Sequence, residues 1–207
     1  MLTLIKYGSG NVRAFMNIFR QLNCEFVVAE RPEQLEGASK IILPGVGAFD
    51  QTMQLLKDSG FVEPLNRLVL EHGLPVLGVC VGMQIMAESS EEGDLPGLGW
   101  FKGRVRKINE SLIQTKPFLP HLGWNSVTQT RESTLLEGLD FDSGFYFLHS
   151  YRLECQDLAD VLLVAEYGEA FPAAVQRDNI WGFQFHPEKS HRNGIQLLKN
   201  FGELKPC

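Results

Sequence analysis

Apolar positions in the first ninety residues alternate between two spacings. Short runs rich in leucine and β-branched residues, at Leu2–Ile5, Glu25–Ala29, Lys40–Leu43 and Pro75–Val79, have the length of buried strands. Between the first two the spacing lengthens to three and four, so that Val12, Phe15, Met16, Phe19 and Leu22 share one helical face, with Asn11 placed to cap it. Helices are also predicted within about 51–58 and 61–72, and another from about Met83. Strand–helix alternation of this kind predicts a parallel sheet covered on both faces. From Trp100 to about Gln129 the pattern changes, with Val105 and Ile108 among basic residues and then a proline-bounded segment, which predicts antiparallel strands. Further strands are predicted at Gly144–His149, Val161–Tyr167, Ala173–Gln176 and Ile180–Phe185, and a closing helix over about 191–204. The acidic span Glu88–Gly99 is the long loop of the first half, and loops of that length in compact domains are commonly functional.

Length and charge narrow what such a sheet is for. With 207 residues and 44% hydrophobic content, a single domain over residues 1–207 is expected. A formal net charge of −6 and the absence of any Lys/Arg run argue against nucleic acid as a partner. No apolar stretch approaches the ~18 residues of a membrane span, and Met1–Lys6 lacks the layout of a signal peptide, so a cytoplasmic protein is expected. Cys24, Cys80, Cys155 and Cys207 are scattered without a CxxC pair, which suits a reducing compartment and supplies no metal or disulfide framework. No cofactor motif is present either: the Pro44-Gly45-Val46-Gly47 turn is not followed by the Gly-Lys-Ser/Thr of a phosphate loop.

One cysteine stands apart. In Leu77-Gly78-Val79-Cys80-Val81-Gly82 an apolar strand runs into a cysteine with glycine two residues away on each side. A nucleophile on a sharp strand-to-helix turn needs such small neighbours, and the following helix N-terminus favours a thiolate and offers N–H groups to an oxyanion. Alone, Cys80 reads equally well as a buried structural cysteine. The second element is Gln184-Phe185-His186-Pro187-Glu188, in which an extended backbone would point His186 and Glu188 the same way. A thiol nucleophile needs a base, and the base needs an orienting carboxylate. A lone His-x-Glu is more often accidental, yet beside the cysteine elbow it completes a triad. The Pro44–Gly47 turn ends a strand where backbone N–H groups can face a ligand, so it can complete an oxyanion hole with the N–H of Val81. Cys24, Cys155 and the terminal Cys207 have neither elbow nor base.

The elbow together with His186-Pro187-Glu188 resembles the class I, or triad, glutamine amidotransferases. Within that family Pro44–Phe49, Pro120-His121-Leu122-Gly123-Trp124-Asn125, Tyr146–Tyr151 and His186–Ser190 resemble the glutaminase subunits of imidazole glycerol phosphate synthases, over essentially the whole chain. The resemblance implies a flavodoxin-like, doubly wound, mostly parallel sheet with added antiparallel strands. It implies hydrolysis of L-glutamine through a cysteine thioester, and delivery of ammonia to a (βα)8-barrel cyclase subunit in a heterodimer of histidine biosynthesis. Position by position it makes Cys80 the nucleophile, His186 the base and Glu188 its orienter, with Gly45, Gly47 and Val81 on the oxyanion side. It assigns Gln84, Glu92, Ser150 and Tyr151 to the ends of the substrate, and His121, Trp124, Asn125, Tyr146 and Lys189 to the surface that meets the cyclase. Lys6 stands where the family pattern has Asp, and Val81, His191 and Phe49-Asp50 look closer to a paralogous branch that feeds amination of a surface-polysaccharide sugar. Two other classes share these features: a catalytically silent regulatory subunit, which the intact triad disfavours, and an autonomous cysteine hydrolase, which the Pro120–Asn125 segment disfavours.

Overall fold

A computed structural model describes residues 1–114, 116 and 118–204; Cys207 lies outside the described residues. In chain order the elements are β1 (Leu2–Ile5), α1 (Val12–Gln21), β2 (Phe26–Ala29), β3 (Lys40–Gly45), α2 (Phe49–Asp58), α3 (Val62–Asn66), β4 (Val76–Cys80), α4 (Val81–Gln84), β5 (Ser89–Ser90) and β6 (Gly103–Lys107). There follow β7 (His121–Asn125), β8 (Thr128–Gln129), β9 (Phe145–His149), β10 (Tyr151–Cys155), β11 (Val161–Tyr167), β12 (Glu169–Arg177), β13 (Ile180–Phe183) and α5 (His191–Glu203). The main sheet has the order β2-β1-β3-β4-β13-β12-β11-β8. Its first five strands are parallel, in the flavodoxin-like order, and β12, β11 and β8 extend it antiparallel. β10, β6 and β5 form a small second sheet, and β7 pairs with β9 alone as a two-stranded ribbon.

The parallel strands are buried along their length, as strands covered on both faces must be, and belong to one continuous apolar core. Helix α1 follows its predicted face, with Val12, Phe15 and Phe19 buried and the Asn11 side chain accepting from the Ala14 N–H. Several boundaries differ from expectation for identifiable reasons. α2 starts at Phe49, before residue 51, because the Glu92 carboxylate accepts its first N–H at 2.8 Å. The 61–72 helix splits into α3 and a wider π turn over Arg67–Glu71. The helix after the elbow begins at Val81, ahead of Met83, because Cys80 itself makes the turn, and it spans only four residues. The predicted Ala173–Gln176 strand grows to Glu169–Arg177 through its pairing with β11. β10 had no apolar alternation to reveal it, since only Leu153 in Tyr-Arg-Leu-Glu-Cys is buried. The Glu88–Gly99 loop is anchored, with β5 inside it and Asp50 accepting the N–H groups of Asp94 and Leu95.

Candidate active site

Three strand ends meet at the carboxyl edge of the main sheet: Gly45 closes β3, Cys80 closes β4, and β13 runs on toward His186. Cys80 has φ 55° and ψ −114°, a conformation that a non-glycine residue holds only under constraint from its surroundings. Backbone closeness supplies the constraint. A Cβ on Gly82 would run into the Leu43 carbonyl, one on Gly45 into the Gly82 N–H, and one on Gly78 into Met86 and the Gly82 carbonyl. Gly82 and the first glycine of the Pro-Gly-x-Gly turn are thus two faces of one contact between β3 and the elbow, and Gly78 leaves room for Met86 and the Gly82 carbonyl behind it.

His186 lies against Cys80, and its Nδ1 is 2.8 Å from Glu188 Oε1, with both side chains at most 3% exposed. Among the described residues Glu188 Oε2 has no hydrogen-bond partner, so the carboxylate acts on His186 alone. Burial by itself would lower the His186 pKa, but the hydrogen bonds it donates to Cys80 and Glu188 outweigh it and raise the group to about 10. The imidazolium is therefore held at neutral pH opposite the cysteine sulfur, the arrangement of a nucleophile paired with its acid/base.

A cavity of about 270 Å3 opens over Cys80 and His186. Gln84, Glu92, Ser150 and Tyr151 line it, together with Val46, Gly47, Val81, Pro120 and Lys189. The four residues expected to hold the substrate's ends do share this cavity. Gln84 already donates both amide hydrogens, to the Tyr151 carbonyl and to Gln184 Oε1, each at 2.9 Å, which leaves its own carbonyl for a ligand. Gly45 does not line the cavity; it is packed behind it against Gly82. The strand end is also clamped from below: the Tyr7 hydroxyl donates to the Pro44 carbonyl at 2.6 Å. Ser9 Oγ accepts the Val46 N–H and donates to the Val46 carbonyl, both at 2.9 Å, so this N–H faces away from the cavity.

Of the residues expected at a partner surface, Trp124 is exposed, Lys189 lies with its ammonium 5.5 Å from the centre of the Tyr146 ring, and Asn125 is half-buried. His121 is a correction. It is 3% exposed, because the antiparallel register that sets it opposite His149 turns alternate side chains of β7 inward. The exposed apolar positions here are instead Leu122, beside His121 on β7, and Val46, which lines the cavity. Two residues had not been singled out. Gln184 Nε2 reaches Cys80 Sγ at 3.9 Å, and His149 lines the cavity. The only sign of Gln184 in the sequence was a polar residue at the end of an apolar strand, and His149 sat unread inside the Tyr146–Tyr151 motif.

Comparison with known proteins places the chain in a family. The family model described as glutamine amidotransferase class-I matches residues 3–203. A protein of Leptospira borgpetersenii described as imidazole glycerol phosphate synthase subunit HisH is 48% identical over 204 residues, 99% of this chain and 100% of that one. A Bdellovibrio bacteriovorus protein of the same description is 50% identical over 209 residues, with the same coverage. Among solved structures, PurLQS from Thermotoga maritima superposes with a TM-score of 0.71 at 19% identity, covering 97% of this chain and 94% of that one. The glutaminase domain of CTPS from Trypanosoma brucei, solved with bound acivicin, superposes with a TM-score of 0.61 at 15% identity, covering 97% and 91%. At those identities the superpositions speak for the fold alone.

Proposed function

This chain belongs to the class-I glutamine amidotransferases, and from that premise we propose that it is the glutaminase subunit of an imidazole glycerol phosphate synthase, a cytoplasmic enzyme of histidine biosynthesis. The observation that carries the reading is the strained Cys80 facing a His186 whose other ring nitrogen is tied to Glu188. In this reading Cys80 Sγ attacks the side-chain carboxamide carbon of glutamine, and the tetrahedral oxyanion is met by the Val81 N–H at the start of α4 and, once the turn at Gly47 has swung, by the Val46 N–H. His186 gives its proton to the departing ammonia as the C–N bond breaks, leaving a thioester. It then takes a proton from water, whose oxygen displaces the sulfur to give glutamate. Gln84, Glu92, Ser150 and Tyr151 hold the amino and carboxylate ends of the substrate. The chain acts as one domain and passes ammonia to a (βα)8-barrel cyclase that docks over Leu122, Trp124 and Lys189.

The resting state is held back by the turn over the cavity. Because Ser9 occupies the Val46 N–H, one oxyanion donor faces away until docking turns it. Gly45 is fixed by its packing, so the freedom to turn resides at Gly47, whose φ is +99°. A missing donor of this kind costs about a hundred- to a thousandfold in rate. A second reading, supply of ammonia for amination of a surface-polysaccharide sugar, is favoured by Val81, Phe49-Asp50 and His191, the last of which stacks on Trp124. Labelling with a glutamine-mimicking electrophile followed by peptide mapping tests the chemistry: Cys80 should be the modified residue, and labelling of Cys24 or Cys155 with loss of activity would overturn it. Co-purification of the barrel partner separates the two acceptors.

A further inference from the structure

Beside the cavity lies a pair of histidines to which the reaction above gives no role. His149 Nδ1 is 2.8 Å from the Tyr151 carbonyl, and its Nε2 is 3.0 Å from His121 Nδ1. His121 Nε2 in turn is 3.3 Å from the Asn125 side-chain nitrogen, which also donates to the Glu166 carbonyl at 2.9 Å. Both ends of this line are chemically unambiguous. A carbonyl only accepts, so His149 must carry its proton on Nδ1. An amide nitrogen only donates, so His121 Nε2 must be bare. The link between the rings is then satisfied in one way, with His121 Nδ1–H donating to the lone pair of His149 Nε2. A second proton on either ring would set donor against donor, at Asn125 or between the rings. Among the described residues no carboxylate is hydrogen-bonded or ion-paired to either ring: His121 stacks between Phe147 and Tyr167, with centroids at 4.8 and 4.1 Å, and Phe171 meets His149 edge-on at 5.1 Å. Burial accordingly lowers the two histidines to about 4 and about 3.

We propose that His121 and His149 are positioning residues: two neutral Nδ1–H imidazoles that pass hydrogen bonds in one direction from Asn125 on β7 to the Tyr151 carbonyl, fixing the Ser150–Tyr151 wall of the cavity. Tyr151 is the natural end point, because its carbonyl is the same atom that receives Gln84. The line also joins two surfaces. β7 carries Leu122 and Trp124 outward while His121 points inward from the same strand, so a shift of β7 is carried to the substrate wall through directional bonds. The role in substrate binding rests on the glutaminase reading; the proton arrangement does not.

The test uses the intact chain. Nitrogen-15 spectra of the imidazoles at neutral pH should show His121 and His149 neutral, each with a protonated Nδ1 and a bare Nε2. An Nε2–H tautomer or a cation at either ring overturns the proposal. Glutamine binding is then measured by calorimetry in Cys80→Ser, which cannot form the thioester. Absence of binding there would defeat the glutaminase reading before any histidine is changed. Given binding, His149→Phe, which keeps an aromatic ring and removes both bonds, should weaken it by about tenfold, the effect of losing a well-placed hydrogen bond. His149→Asn, whose amide nitrogen can take the place of Nδ1, should recover most of that loss. Equal affinity in Cys80→Ser with and without His149→Phe would overturn the positioning role. If the phenylalanine variant does not fold, the asparagine variant and the wild-type spectrum decide.

Discussion

Glu188 spends one oxygen on His186, with no described partner for the other, and the pair sits where water does not screen it. Replacing the carboxylate by an amide keeps the shape and removes the charge, so Glu188→Gln should lower kcat by roughly a hundredfold or more while glutamine affinity stays within about twofold. The ratio of kcat loss to affinity loss is the measurement, and unchanged turnover would remove Glu188 from the mechanism. The same pair has a sign in pH. His186 rises in the folded chain from 6.5 to about 10, so the stability it contributes is complete below 6.5 and lost as pH climbs through 10. Melting curves of wild type and Glu188→Gln should therefore differ most near pH 6 and converge near pH 10. These residues were legible in the sequence because each declares itself locally, by glycine spacing or by two-residue separation along a strand. Ser9, His149 and Gln184 were not, since each takes its role from a partner distant in the chain, supplied only by folding.

At the scale of elements, the parallel strands and α1 could be read directly because their burial is periodic, whereas β10 and the split after α3 depend on pairing and packing that no local pattern records. The turn at Pro44–Gly47 shows how an element's state is set from outside it. Two bonds to one hydroxyl hold Val46, each worth about 1 kcal/mol, so Ser9→Ala should raise the glutaminase rate of the isolated chain about five- to thirtyfold and shrink the stimulation by a partner. Glutamate release by chain alone and with its partner subunit measures this; no rise in the basal rate would show that the clamp is not the brake. At the elbow, Gly82→Ala would press a methyl group onto the Leu43 carbonyl across the β3–α4 contact. It should cost about 3 kcal/mol or more of stability, read as a lower urea midpoint, and abolish electrophile labelling of Cys80. A variant that melts normally and labels normally would mean that the two backbones are not in the contact described.

For the molecule as a whole, the consequential surface is set by exposed apolar side chains: Val46 at the cavity, 46% exposed, and Leu122 and Trp124 on β7, 61% and 48% exposed. Large apolar side chains left in water next to a site are where a partner's affinity concentrates. Trp124→Ala should leave the melting temperature near wild type and weaken the complex with the partner subunit by about thirtyfold or more, measured by titrating that subunit into this chain. An unchanged affinity would move the docking face elsewhere. The overall architecture was legible because alternation fixes a parallel sheet; the acceptor of the ammonia was not, because chemistry and customer occupy different parts of the chain. That separation has a cause in Gly45 and Gly82, whose backbones touch. Where main chain meets main chain with no side chain between, inheritance has nothing to adjust: every substitution is a collision, and the centre is passed on intact or lost. The rim is made of side chains in water and is free to drift. A duplicated gene of this kind can therefore change whom it serves by altering its outer surface, while its descendants go on performing one reaction.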